Sequence, residues 1–258
     1  MENEGKNRRD FLKFGAVGVG AALLVSACGN NQTANSQINT APGNTDKPAD
    51  KKTPDAKEVT AVEDLMREHG ILRRALLVYS EAALRLRKNP ASVAPEALRK
   101  TAELFRSFGE DYHEKKLEEA FLFPLIKQKA AAGAAAKYVD VLVVQHNKGR
   151  EITDYILSVT NAAKIGANAP AFADLLAGFA RMYEHHAARE DTIIFPAWKE
   201  LLSSAEYDEL NDKFEDIEHA QFGEDGFEDA VRQIGEIEAS LNLSDISQFT
   251  AAPPPAAK

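Results

Sequence analysis

The sequence predicts an all-α protein, an up-down-up-down four-helix bundle with an extra helical segment at its carboxyl end. Two observations support this fold class. From Val59 onward, apolar residues recur at the three- and four-residue spacing of one helix face. In addition, one pattern occurs twice: a helix-length segment with a histidine, then another with a histidine and nearby carboxylates. Two such helix pairs are what a four-helix bundle needs to hold a metal pair in its core.

The two copies of this repeat place the same kinds of residue in the same order. The first copy contains Glu68-His69, His113, Glu118-Glu119 and Phe123-Pro124. The second copy contains Gln145-His146, His186, Glu190-Asp191 and Phe195-Pro196. In each copy, the first carboxylate lies six residues before the proline. This repeat predicts a metalloprotein.

The composition limits the kinds of site that the chain can build. Its 258 residues are 44% hydrophobic, which is ample for a core, and they carry a formal net charge of −9. That charge argues against sequence-independent nucleic-acid binding, which needs a basic surface. The single cysteine, Cys28, excludes an intramolecular disulfide, a zinc finger and an iron–sulfur cluster. Any metal site must therefore use imidazole and carboxylate, which suit iron, manganese or zinc.

Residues 1–28 resemble a bacterial export signal, which predicts a location on the periplasmic side of the cell envelope. The segment 7–13 resembles the twin-arginine consensus, and a short apolar run follows it. Residues 25–28 resemble a lipoprotein cleavage box, so acyl chains on Cys28 are the one expected membrane contact. Residues 29–57 are rich in Asn, Thr, Pro and Lys and predict a flexible linker.

The first two helices of the predicted bundle each place a histidine on the core face. Helix one covers about residues 59–89, and His69 fills one position of its apolar stripe. Helix two covers about residues 95–132 and carries His113. A kink is expected in it at Pro124, because proline cannot donate to the helical ladder.

The last two helices of the bundle repeat this arrangement. Helix three covers about residues 134–163 and carries His146. Helix four has the most regular apolar stripe, and His186 lies on it, whereas His185 is rotated by about 100°. Glu190 follows four residues after His186 and lies on the same face.

Histidines on all four helices favour a shared metal over separate hydrogen bonds. A single histidine on an apolar stripe is usually a core residue bonded to a neighbour. Four unrelated imidazoles in one core would each need such a partner. One metal centre satisfies all of them together, so we interpret the set as ligands.

The motifs of the repeat resemble the hemerythrin-like, or HHE cation-binding, family over residues 59–202. The matching motifs are Arg67-Glu68-His69, Tyr112-His113-Glu114 with Glu118-Glu119 and Leu122-Phe123-Pro124, Gln145-His146, and His186-Ala187-Ala188-Arg189-Glu190-Asp191 with Phe195-Pro196. The resemblance implies a bundle around two non-haem iron ions that are bridged by carboxylates and by oxo or hydroxo. Manganese or zinc is the alternative metal.

The resemblance also implies a role for each motif residue. The terminal imidazole ligands would be His69, His113, His146 and His186, and the bridging carboxylates would be Glu118 and one of Glu190 or Asp191. Oxygen-carrying members have a second histidine on helix three, four residues after the first, where this chain has Arg150. The ligand set is thus closer to members that handle iron or act as sensors. Tyr112, Arg150 and Tyr183 are expected in the layer of side chains around the ligands.

The spacing on helix two leaves the choice of carboxylate open. His113 and Glu118 are five residues apart, about 140° around an ideal helix, so they share a site only if the helix contains a π-bulge. Without a bulge, Glu114 or Glu119 takes the role. On helix four, Glu190 suits a regular helix and Asp191 suits the longer spacing.

Beyond the bundle, residues 203–247 predict a helical extension. Ser203 and Glu206 resemble a capping box that opens a further helix. Apolar residues then continue at amphipathic spacing, so we expect one or two helices packed on the outside of the bundle. Residues 248–258 contain three consecutive prolines and predict a disordered tail.

Together these features predict an exported metal-binding protein that binds or senses oxygen, nitric oxide or peroxide, or handles iron. The first alternative is a di-iron oxidase or peroxide-consuming enzyme, and the second is a metal-free helical docking module. The sequence shows no substrate pocket that decides between binding and turnover, and we lean towards binding. It does not identify a protein partner.

Overall fold

The computed structural model describes residues 59–131, 133–161, 165–223 and 226–255. The predicted signal at 1–28, with Cys28, and the predicted linker at 29–57 lie outside the described residues. Within the described part, helices are the regular secondary structure and strands are absent, which confirms the all-α class. No helix in that part is long and apolar enough to cross a membrane.

Four long helices form the bundle. They are α1 (Ala61–Lys88), α2 (residues 95–129), α3 (Ala134–Asn161) and α4 (residues 169–200). Helix α1 lies against α4 and α2 lies against α3, while short connections join successive helices. Helix α2 ends slightly before the predicted end near residue 132.

Local sequence explains where the first helices begin and end. The side chain of Thr60 caps α1 by accepting a hydrogen bond from the amide of Glu63. Asn89 ends α1 in an extended conformation, as expected before a proline. Helix α2 then begins at Pro95, where the first turn needs no intrahelical donor.

Two stretches of the bundle adopt π-helical hydrogen bonding. They are Phe105–Leu122 within α2 and Glu190–Ile194 within α4. The amide of Phe123 bonds the carbonyl of Glu118, and the amide of Phe195 bonds the carbonyl of Glu190, five residues earlier in both cases. A proline follows each of these amides and cannot donate to the preceding turn. The π geometry that His113 and Glu118 need to share a site is therefore present in helix two, over a longer stretch than a single bulge, and the second copy of the repeat has a π stretch as well.

The C-terminal extension forms two helices, α5 (Ser204–Phe222) and α6 (Gly226–Ser240). Ser203 and Glu206 form the predicted capping box, with reciprocal side-chain and backbone hydrogen bonds. Gly223 ends α5 with φ of 83°, a conformation that favours glycine. The predicted boundary at residue 248 falls inside a short 3₁₀ helix, Ile246–Phe249.

The extension holds the start of the bundle by satisfying free amides of α1. Asn211 accepts a hydrogen bond from the amide of Ala61 at 2.5 Å, and the hydroxyl of Tyr207 accepts one from Val62 at 3.1 Å. These amides belong to the first turn of α1, which has no intrahelical acceptors for them. Helix α5 is therefore part of the folded domain, and α6 packs against α1 and α2.

One buried carboxyl group, that of Glu110, lies in the core away from the histidines. It is fully buried on α2, accepts a hydrogen bond from Thr153 on α3 at 2.6 Å, and has the Arg106 Nε atom 2.9 Å away. Burial raises the pKa of Glu110 to about 7, because removal from water outweighs the hydrogen bond from Thr153. The neutral acid is therefore the favoured form in the folded protein below that pH.

We predict that the effect of Glu110→Gln on the free energy of unfolding becomes more favourable as the pH rises. In the unfolded chain this carboxyl titrates near 4.5, so the folded state binds an extra proton between pH 4.5 and about 7 and loses stability as pH rises through that window. The change in unfolding free energy on substitution should therefore shift in favour of the variant by about 3 kcal/mol between pH 4.5 and pH 8. Urea unfolding at the two pH values measures it. The exposed Glu103→Gln is the control, and an equal effect of Glu110→Gln at both pH values would contradict the prediction.

Candidate metal centre

The four histidines of the repeat meet in the middle of the bundle, one from each long helix. The Nε2 atoms of His69 and His113 are 3.0 Å apart, and those of His146 and His186 are also 3.0 Å apart. All four residues are buried, with at most 3% of their surface exposed. Nitrogen atoms that converge in pairs are arranged as ligands of a common ion. We call the two places the His69/His113 position and the His146/His186 position.

The carboxylates of Glu118 and Glu190 lie between the two pairs, and each offers one oxygen to each pair. For Glu118, Oε1 is 3.5 Å from Nε2 of His113, and Oε2 is 3.4 Å from Nε2 of His146. For Glu190, Oε2 is 3.4 Å from Nε2 of His69, and Oε1 is 2.9 Å from Nε2 of His186. Both carboxylates therefore have the placement of bridging groups between two cations.

This donor set fits a pair of transition-metal ions. All four oxygens of Glu118 and Glu190 are buried and lack a well-aligned hydrogen-bond donor among the described residues. Carboxylate oxygens without donors are costly inside a protein, and cations at both positions would remove that cost. Each position offers two imidazole nitrogens and two carboxylate oxygens, which suit iron, manganese or zinc.

A second layer of side chains orients the imidazoles through Nδ1. Each Nδ1 atom has one oxygen at hydrogen-bond distance: Asp191 for His69, Glu68 for His113 and Glu119 for His146, all at 2.7 Å, and Gln145 for His186 at 3.0 Å. Since these oxygens accept, Nδ1 carries the proton and Nε2 remains as the ligand atom.

The second layer follows the repeat. The residue before the first histidine of each copy, Glu68 or Gln145, contacts the second histidine of its own copy. The residue after each central carboxylate, Glu119 or Asp191, contacts the first histidine of the other copy. The centre therefore has an approximate twofold symmetry that relates the two halves of the bundle.

Two arginines hold the carboxylates of the second layer. Arg73, four residues after His69, donates to Asp191, which orients that same histidine. Arg150, four residues after His146, donates to Glu119 at 2.5 Å in the matching place. Arg150 thus binds outer carboxylates at the place where oxygen carriers are expected to have a further histidine.

A tyrosine and a carboxylate complete this side of the centre. The Tyr183 hydroxyl donates to Glu114 at 2.7 Å, and Arg150 donates to the other oxygen of Glu114 at 3.0 Å. Tyr183 approaches α3 closely at Gly149, where a Cβ atom would collide with the tyrosine hydroxyl. On the opposite side, the Tyr112 hydroxyl donates to Glu68 at 2.9 Å.

The C-terminal extension reaches the edge of the second layer. Carboxylate oxygens of Asp64, Glu68 and Glu218 lie within 4.8 Å of one another, and all three residues are buried. Glu218 belongs to α5 and accepts a hydrogen bond from the amide of Phe227 at the start of α6. Glu68, which orients His113, is therefore close to Glu218 on α5, and Glu218 in turn contacts the start of α6.

Close contact between imidazoles and carboxylates changes their acidity. Burial lowers the pKa of His146, but nearby carboxylates, first that of Glu114, outweigh it and raise the pKa to about 10. Burial raises the pKa of Glu190, but the imidazole of His186 and its neighbours reverse this and hold the pKa well below its usual range. Protons on imidazoles thus balance the carboxylates when no cation is bound, and an incoming cation must displace them.

A small cavity of about 10 Å³ lies against the centre. Both imidazoles of the His69/His113 position line it, and so does that of His186, together with Glu118 and Glu190. Its volume is about that of one water-sized molecule.

The structure brings together the six residues predicted as ligands. They are His69, His113, Glu118, His146, His186 and Glu190. The alternatives lie one layer further out: Glu114 contacts Arg150 and Tyr183, while Glu119 and Asp191 contact Nδ1 atoms. Between His186 and Glu190 the helix keeps regular α geometry, because the π segment of α4 begins only at Glu190.

Sequence reasoning missed the roles of Glu68, Gln145 and Arg73. Glu68 and Gln145 were visible as the residues before the two first histidines, but their partners lie 45 and 41 residues away along the chain. Arg73 has the same offset from His69 as Arg150 has from His146. Comparing the two copies at that offset would have indicated its role.

Comparisons with known proteins identify the family of the chain. The profile of the hemerythrin HHE cation-binding domain matches residues 60–198, which contain every residue of the candidate centre. Uncharacterized proteins of Mycobacterium bovis and of two strains of Mycobacterium tuberculosis are each 42% identical over 246 residues, covering 94% of this chain and 90% of each relative. No solved structure matches the chain at a significant level. The chain therefore belongs to the hemerythrin HHE cation-binding family.

Proposed function

We propose that this protein is an exported di-iron protein that binds or senses oxygen, nitric oxide or peroxide, or handles iron. One observation carries the proposal: two imidazole pairs face each other across two buried carboxylates, and each carboxylate offers one oxygen to each pair. Family membership and the ligand chemistry favour iron, which would be bridged by Glu118 and Glu190 and by oxo or hydroxo.

The size of the cavity supports a small ligand. A space of about 10 Å³ beside the His69/His113 position admits a diatomic molecule or peroxide far more easily than an organic substrate. Bound iron would supply a redox-active ion with an open coordination place. The protein side chains orient the ligands and exclude bulk water, and Tyr183 forms part of the wall of the cavity.

The side chain of Arg150 favours sensing or iron handling over oxygen carriage. Its guanidinium donates to Glu114 and Glu119 and is not a metal ligand. Helix α3 therefore offers one imidazole, that of His146, to the centre. A more open ligand set at the His146/His186 position would exchange its ion more readily than one with a third imidazole.

An enzyme is the second candidate, and the placement of Tyr183 is the observation that favours it. Tyr183 lines the cavity and its hydroxyl donates to Glu114, so the pair could pass a proton to peroxide once that hydrogen bond is exchanged. A metal-free docking module is disfavoured, because four imidazoles and two carboxylates would then converge in the core with only protons to balance their charge and without well-aligned donors to the carboxylates among the described residues.

The cell envelope is the proposed location. The twin-arginine-like segment at 7–13 and the lipoprotein-like box ending at Cys28 support export and a lipid anchor. Export of a folded protein suits a metal site that is loaded in the cytoplasm, because metal binding and folding are coupled. Membrane attachment of the protein that persists in Cys28→Ser would count against the anchor.

The proposal predicts two irons per chain and a bridged di-iron absorption spectrum in the purified protein. His186→Ala should lower the iron content and abolish the visible band, whereas His185→Gln, an exposed neighbour, should preserve both. Elemental analysis and visible spectroscopy measure these results. A saturable spectral change with oxygen or nitric oxide would indicate a binder, and sustained consumption of peroxide would indicate the enzyme. Absence of stoichiometric metal would contradict both.

Metal affinity should increase with pH. The metal-free His146 has a pKa of about 10 and must lose its proton to bind a cation, so apparent affinity should rise about tenfold per pH unit for each displaced proton below pH 10. Calorimetry of Zn²⁺ binding at pH 7 in buffers of different ionisation enthalpy measures the protons released. Binding without proton release would contradict the charge balance described for the centre.

A further inference from the structure

The second layer of the centre departs from its twofold symmetry at Gln145. Three of the four imidazoles have a carboxylate oxygen at Nδ1, whereas His186 has the amide oxygen of Gln145. In the repeat, Gln145 takes the place of Glu68, whose Oε2 is 2.7 Å from Nδ1 of His113. The two side chains have almost the same shape, but Glu68 can carry a full negative charge.

The difference in charge changes how strongly Nε2 binds a cation. A carboxylate at Nδ1 polarises the ring towards imidazolate and increases the basicity of Nε2 more than a neutral amide does. Changes of outer partners of this kind alter metal affinity by about 10- to 100-fold. His113 is therefore a stronger donor than His186.

The other two outer carboxylates balance each other. Asp191 orients one imidazole of the His69/His113 position and is bound by Arg73. Glu119 orients one imidazole of the His146/His186 position and is bound by Arg150. Because each carboxylate is paired with a guanidinium, the two contributions are alike.

One further carboxylate, that of Glu114, lies near the His146/His186 position. Its Oε2 is 4.0 Å from Nδ1 of His146, beyond hydrogen-bond distance. It accepts hydrogen bonds from Arg150 and Tyr183, so it acts on the ring of His146 through space and not through Nδ1. Among the direct contacts at Nδ1, the difference between the two positions is thus Glu68 against Gln145.

We propose that Gln145 makes the two metal positions unequal, so that the His69/His113 position fills first and the His146/His186 position binds about tenfold or more weakly. The inference rests on the proposed di-metal function. At limiting metal the protein would hold one ion, at the His69/His113 position, both of whose imidazoles line the cavity. The second ion would be the exchangeable one.

Titration of the metal-free full chain with Co²⁺ against a competing chelator, at fixed pH, tests this proposal. Two stepwise constants are expected. Gln145→Glu should tighten the second step by about tenfold and leave the first unchanged. The mirror-image variant, Glu68→Gln, should weaken the first step. Gln145→Met removes the acceptor without adding charge and should weaken the second step. This variant provides the test if Gln145→Glu does not fold.

The outcomes separate this inference from the proposed function. Two bound ions with an unchanged second step in Gln145→Glu, or a tightened first step, would overturn the role of Gln145 and leave the di-metal centre intact. A titration that shows no binding, or only one ion at saturation, would overturn the proposed centre itself.

Discussion

Hydrogen bonds between imidazole Nδ1 atoms and the outer oxygens determine the rest of this centre. Each bond fixes the ring and leaves Nε2 directed inward, so four helices present four nitrogens to a small common space. Two carboxylates occupy the same space without well-aligned donors among the described residues. Such an arrangement is costly in an apolar core, and two cations are the simplest means of balancing it.

Helix geometry supplies the second requirement, because a regular helix would not direct every ligand to that space. The π-helical stretch of α2 contains both His113 and Glu118, which lie five residues apart. The prolines that end the π stretches recur in both copies, so the departure from regular geometry is encoded by sequence. Outside the centre, α5 satisfies amides at the start of α1, and its Glu218 approaches Glu68, which joins the extension to the candidate centre.

Much of this arrangement could be predicted from one sequence, because it depends on residue type and helical spacing. The repeat indicated the bundle. It also predicted the ligands His69, His113, His146 and His186 from their positions on the apolar faces of the helices. The choice of Glu118 over Glu119 depended on hydrogen-bond register within α2, which residue spacing alone leaves open. The role of Gln145 depended on a contact between α3 and α4, and no local pattern reports a contact between helices.

A bridged metal pair is the claim from which the proposed binding, sensing and exchange all follow. Anomalous diffraction from crystals of the iron-loaded protein tests it most directly. We expect two iron peaks inside the bundle, each bonded to two Nε2 atoms and to one oxygen from each of Glu118 and Glu190. A single peak, or iron found only on the surface of the bundle, would contradict the account.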